Sequence, residues 1–223
     1  MNYTQYKYSR NLSWEILVKE NVSTLPIKLV PLCRQMGIRV IRYCDMPESA
    51  QRDRDGCNAI IDGNYCILYN ETFSSTRKRF TIAHELGHIL MKHSGVPDDE
   101  HEANIFASRL LMPACVLYEC GVSSATDIME LCDVSRTAAE IRLERLNILR
   151  KRGKFYTSPL ERQVYKQFEG FITNLRRYPG YFQTFYHLPP CCLCVQYPFS
   201  HLTFRKTFYF SCRNVRLCLT YEH

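Results

Sequence analysis

The run from Arg79 to Leu90, Arg-Phe-Thr-Ile-Ala-His-Glu-Leu-Gly-His-Ile-Leu, decides how this chain is read. Four residues along an α-helix advance about 6 Å and return nearly to the same face. His84 and His88 can therefore offer two imidazoles to one tetrahedral ion. Glu85 lies one position on, beside such an ion rather than on it. There it can take a proton from an attacking water and later hand it to a leaving amine. Zinc suits the pair, because it needs no redox chemistry and brings the pKa of water toward neutrality. The plainer reading is a surface helix with two unrelated histidines. Phe80-Thr81-Ile82-Ala83 on one side and Ile89-Leu90-Met91 on the other oppose it, since they bury the helix.

Ser74, Ser75 and Thr76 offer capping side chains for a helix running to about His93, with Phe80, Ala83, Leu86, Gly87 and Leu90 as its buried stripe. Pro97, Asp98, Asp99 and Glu100 open a second helix, where the macrodipole favours acids. Its inward face is Ala103, Phe106, Ala107, Leu110 and Leu111, and Pro113 ends it. A catalytic zinc wants three protein ligands and one open position. Glu100 is the choice for the third. It shares a face with Asn104, which can orient a ligand, and with Ala103 and Ala107, which let the helices approach. Glu102 and His101 compete with it, and His93 points off the shared face. Acids at a helix start also serve as simple dipole partners, so the residues alone leave this choice even.

Upstream, Leu25 to Met36 reads as a short helix begun by Pro26 and closed by Gly37, followed by a strand from Ile38 to Tyr43. Asp45 to Gly56 reads as a loop. Asn58 to Asp62 and Tyr65 to Asn70 read as a hairpin turning at Gly63-Asn64. Downstream, helices are expected over Ala125 to Cys132 and Ser135 to Arg152, with the pattern decaying beyond Gly153. Arg142, Arg145 and Arg150 give the last helix the look of a DNA reader. Ile141, Leu143, Leu146, Ile148 and Leu149 make packing the cheaper account.

The net charge of +7 is uneven, about −2 over residues 1–130 and +9 over 131–223. A basic half can steer toward nucleic acid or an acidic partner, though solubility explains it as well. The first twenty residues hold no apolar run for a signal peptide, and no stretch matches a membrane span. The expectation is a cytoplasmic protein with no membrane partner, whose twelve cysteines are thiols or metal ligands. Cys191, Cys192, Cys194, Cys212 and Cys218 lack the spacing of a zinc ribbon and read as incidental thiols.

The paired runs at 79–90 and 100–113, the latter Glu-His-Glu-Ala-Asn-Ile-Phe-Ala-Ser-Arg-Leu-Leu-Met-Pro, resemble the ImmA/IrrE-type metallopeptidases. Leu25-Pro26-Ile27, the hairpin, and Val134-Ser135-Arg136-Thr137-Ala138-Ala139 with Arg142 and Leu146 extend the likeness over roughly residues 20–150. The resemblance implies an α+β, zincin-like fold: a small twisted sheet packed on the active-site helix, then a helical subdomain. The chain is read as a metallopeptidase domain over 1–113, a helix-turn-helix-like part over 114–155, and a basic, aromatic- and Cys-rich tail over 156–223 that lies outside the resemblance and has no assigned role. The resemblance implies zinc on His84, His88 and Glu100, with Glu85 as general base toward a zinc-activated water. Asn104 stands behind the ligands. Cys66, Ile67, Leu68, Tyr69 and Asn70 form an edge strand that receives the substrate backbone. Tyr69 and His101 are candidate oxyanion donors. The implied substrate is a helix-turn-helix transcriptional repressor, as for family members tied to mobile elements or stress circuits. The rival is a non-proteolytic antirepressor, or a DNA-binding regulator, with a structural zinc.

Overall fold

The computed structural model describes residues 3–48 and 54–177, and the backbone of 209–212 and 215–218. The chain divides into two units, Met1–Phe182 and Gln183–His223. The first runs α1 (Tyr3–Lys19), α2 (Leu29–Gln35), β1 (Arg39–Arg42), a 3-10 turn (Tyr43–Asp45), β2 (Gly56–Ile61) and β3 (Asn64–Tyr69). It continues α3 (Ser75–Met91), α4 (Pro97–Leu111), α5 (Ala114–Glu119), α6 (Ala125–Cys132), α7 (Arg136–Lys151) and α8 (Pro159–Arg177). The second holds the antiparallel hairpin β4 (Tyr209–Cys212) and β5 (Val215–Cys218). Cys191, Cys192 and Cys194 lie outside the described residues, and Cys212 and Cys218 fall in that hairpin. Among the described residues no helix is long and apolar enough to cross a membrane.

The class is α+β, as expected: a small sheet beside many helices. Strand order is β1-β3-β2, with β1 parallel and β2 antiparallel to β3. This corrects the reading of Cys66 to Asn70 as an edge. Hydrogen bonds occupy both sides of β3, and Cys66, Ile67 and Leu68 are all buried. A strand covered on both faces reads as an unbroken apolar run rather than an alternation, and Cys-Ile-Leu is such a run. The hairpin turns one residue earlier than expected, at Asp62-Gly63, whose φ angles of 53° and 75° suit a two-residue turn.

Helix α3 starts where Ser74 accepts the N–H of Arg77 at 3.3 Å, and ends at Lys92 with φ 54°. Asp99 ties the turn into α4 by accepting the N–H groups of Ser94, Gly95 and Val96 at 3.0, 2.8 and 3.0 Å. The two helices pack through Gly87. A Cβ there would lie 3.0 Å from a ring carbon of Phe106 and 3.4 Å from Ala103 Cα, so the interface is built for a hydrogen atom. Arg79 fixes the other end of α3. Its guanidinium donates to the carbonyls of Ile27, Cys132 and Asp133 at 3.0, 3.1 and 3.1 Å.

Helix α2 begins at Leu29, three residues past Pro26, and holds Pro31 in its first turn, where a missing N–H costs nothing. Three helices are additional to the sequence reading. In α1 the inward face carries Ser9 and Ser13, whose hydroxyls donate to the carbonyls of Gln5 and Arg10 at 3.1 and 2.7 Å, beside Trp14, Ile16 and Leu17. The short α5 follows Pro113 directly. Beyond Gly153 the pattern does not decay: residues 159–177 form α8, which buries Val164, Phe168 and Ile172. Gln167 of α8 donates to the carbonyls of Leu17 and Val22 at 2.6 and 3.0 Å.

Ile141 is 65% exposed, so it does not share the packing expected of α7. The three arginines that suggested DNA reading turn inward. Arg142 donates to Met112 O, Arg145 lies over the Tyr6 ring, and Arg150 donates to Val122 O. Cys33, Cys44, Cys57, Cys66, Cys115, Cys120 and Cys132 are free, and burial pushes the thiols of Cys33, Cys115, Cys120 and Cys132 up to about 12. These four are unreactive packing groups at neutral pH.

Candidate metal centre

One turn of α3 and the first turn of α4 bring three donors to a point. His84 Nε2 and His88 Nε2 are 3.0 Å apart. Glu100 reaches both, Oε2 at 3.3 Å from His84 Nε2 and Oε1 at 3.4 Å from His88 Nε2. All three donor atoms lie within 4.8 Å of one another. A tetrahedral ion with bonds of about 2.0–2.1 Å separates its donors by about 3.3 Å. The observed spacings fit that requirement.

The atoms behind the trio suit an offered Nε2 on both rings. An imidazole presenting the Nε2 lone pair carries its proton on Nδ1. His84 Nδ1 is 3.1 Å from Asn104 Oδ1, and His88 Nδ1 is 2.8 Å from His93 Nδ1. His93 Nε2 in turn faces Glu102 Oε2 at 3.5 Å and Asp99 Oδ1 at 3.9 Å. This geometry separates the competitors. Glu100 joins the histidines, Glu102 supports His93, and His101 is exposed on the other side of α4. Burial, followed by the charge of His84, holds the His88 imidazole below its ordinary pKa, which favours the neutral form a metal needs.

Glu85 is 9% exposed, and Asn58 Nδ2 donates to its Oε2 at 2.8 Å. Asn58 stands on β2 and was not singled out by the sequence reading. A lone Asn on a strand carries no spacing signal. Gly56, on the same strand, permits the approach: a Cβ there would meet Thr81 Cγ2 at 2.5 Å and Leu68 O at 2.7 Å. A cleft of about 290 Å3 opens between this strand and the two helices, lined by Gly56, Phe80, His84, Glu85, Glu100 and Asn104 among others. Neither Tyr69 nor His101 lines it.

Residues 33–144, half of the 223-residue chain, match the family described as IrrE N-terminal-like domain, a peptidase family. The chain belongs to that family. The match runs from within α2 into α7 and contains His84, Glu85, His88, Glu100 and Asn58, so the IrrE N-terminal-like domain holds the whole centre. All of α1 and all of α8 lie outside it. No curated protein matches the chain. As a peptidase-family domain with a His-His-Glu group of metal-binding geometry, this is a metallopeptidase-like fold.

Proposed function

We propose that this chain is a zinc endopeptidase that cuts a regulatory protein, a helix-turn-helix repressor being the substrate class. The observation that carries the reading is a buried carboxylate, Glu85, next to a three-donor metal group at the mouth of an open cleft. His84, His88 and Glu100 would hold the zinc, with Asn104 and His93 setting the tautomers of the two imidazoles. Bound zinc supplies Lewis acidity, which brings the pKa of water near 7 and polarises a carbonyl. The chain's own residues do the rest. Glu85 takes the proton of the attacking water on its carboxylate and delivers it to the leaving amine nitrogen. Asn58 holds that carboxylate in one plane through Oε2.

The peptide backbone is proposed to lie along β2. This strand is at the sheet margin, and Gly56 lines the cleft, whereas β3 is fully paired. Strand addition needs unpaired backbone groups, and β2 supplies them.

The test mixes the full chain, zinc-loaded or chelated, with the product of a neighbouring repressor gene, followed by mass spectrometry of the mixture. A single broken bond that disappears with chelator and in Glu85→Gln is expected. An intact repressor that is nonetheless released from its operator, equally by the wild type and by Glu85→Gln, would favour a stoichiometric antirepressor and overturn the proposal.

A further inference from the structure

A second concave site lies away from the cleft, between α1, α4, α7 and the start of α8. Its volume is about 40 Å3, room for about three waters or one small oxyanion. Five cationic side chains line it: Arg10, Arg109, Arg142, Arg145 and Lys154. Against them stands one lining carboxylate, Glu161, which already accepts the N–H of Thr157 at 2.9 Å.

Two buried donors at this site are unspent. Arg142 is 2% exposed and donates to Met112 O, yet its Nε has no partner among the described residues. Trp14 is 3% exposed, and its Nε1 likewise has none. Buried N–H groups in this state call for an acceptor. Arg10 donates to Asn11 Oδ1 and feels the Glu161 carboxylate, and the cations around the pocket also lie on aromatic faces. Arg109 and Arg145 lie 5.6 and 5.9 Å from the Tyr6 ring centroid, and Arg10 lies 5.1 Å from that of Trp14. Burial alone would raise the Tyr6 hydroxyl's pKa, but the positive charge of Arg109, Arg145 and Arg142 lowers it. The potential there is positive.

Water could satisfy the donors but would bring no charge. A carboxylate brings one negative charge. A phosphate group brings nearly two, with three oxygens and a geometry that guanidinium forks match. We propose that this pocket binds a phosphate-type oxyanion, free or as the terminal group of a larger ligand, through Arg109, Arg142 and Arg145. The site stands apart from the zinc reading and does not rest on it.

Trp14 is the chain's one tryptophan and lines the pocket, so it reports occupancy directly. The full chain is titrated with inorganic phosphate at constant ionic strength while tryptophan fluorescence is recorded. A saturable change is expected, with no response to chloride. Arg109→Gln and, separately, Arg145→Gln should each raise the midpoint at least tenfold. Arg136→Gln, at an exposed arginine paired with Glu140 on α7, should leave it unchanged. Circular dichroism of the phosphate-free variants checks that they fold. A wild-type signal that rises linearly with phosphate overturns the proposal whatever the variants do. So does an acetate midpoint equal to that of phosphate, or an unchanged midpoint in both Arg109→Gln and Arg145→Gln.

Discussion

The cleft on α3 and the pocket beside α1 are opposites built by the same rule. In the cleft, acceptors crowd together: two imidazole nitrogens 3.0 Å apart and a carboxylate touching both. In the pocket, donors crowd together: Arg142 Nε and Trp14 Nε1, buried and unspent, among further cations. Polar atoms of one kind gathered at one point suit a partner of the opposite kind, a cation in the first place and, on the proposal above, an anion in the second. Arg79 shows the contrasting case, since three carbonyls and the Asp133 carboxylate surround its guanidinium. It is a strut whose every nitrogen donates to a carbonyl of the chain.

The contrast can be broken most forcefully at Glu85. Replacing it by Gln should leave metal content unchanged and lower single-turnover cleavage about a thousandfold, the scale of losing a general base. Metal analysis alongside the cleavage rate checks both halves, and undiminished cleavage would remove the chemistry from the cleft. Next come the acceptors. Zinc at a hundredfold excess over its dissociation constant should stabilise the wild type by about 2.7 kcal/mol. Thermal unfolding of Glu100→Gln and His84→Ala should show little of that gain. If they respond like the wild type, the three donors are not the cation's seat.

A smaller effect belongs to Asn58. Its hydrogen bond to the Glu85 carboxylate is of the charged type, about 1.5 kcal/mol, so Asn58→Ala should cost about tenfold in kcat with zinc affinity intact. A change in zinc affinity instead would make Asn58 part of the metal's surroundings. The smallest effect calibrates the comparison at a carboxylate whose donors are matched within the chain. Asp127 is partly buried, which alone would raise its pKa. The N–H groups of Ser123 and Ser124 and their hydroxyls lower it instead. A depressed acid stabilises the fold above its unfolded pKa of 3.8, and that contribution is lost as pH falls through the lower folded value. Asp127→Ala should therefore cost about 1 kcal/mol at pH 7, with the difference shrinking as the pH drops below 3.8. Chemical denaturation at several pH values measures it, and a pH-independent difference would contradict the assignment.

The legible and illegible parts of the molecule divide along the same line. His84 and His88 sit one turn apart on α3, and helical periodicity brings them together before any coordinates exist. The choice of Glu100 over Glu102 needed the angle between α3 and α4, which spacing alone does not contain. The pocket draws on Arg10, Arg109, Arg142 and Glu161, from four separate helices, so no local pattern announces it. Strand β3 lies where the hairpin reading puts it, but its place between β1 and β2, which removes the edge, depends on a parallel pairing with a strand over twenty residues upstream that no local pattern contains. Helix α1 escaped because two serines occupy its inward stripe and satisfy themselves on the helix's own carbonyls. Helix α8 did carry its signal, Val164, Phe168 and Ile172 at four-residue steps. The aromatic, cysteine-rich stretch after it obscured that rhythm.

The bare backbone at Gly56 has a mechanical consequence. Because nothing projects there, the outer ribbon of the sheet can nestle against Thr81, and the same ribbon delivers the amide that grips the base. A single methyl group would act as a wedge between β2 and Thr81, shifting the strand that carries Asn58 away from Glu85. On the proposed function, the same strand would both hold the polypeptide and ready the proton acceptor.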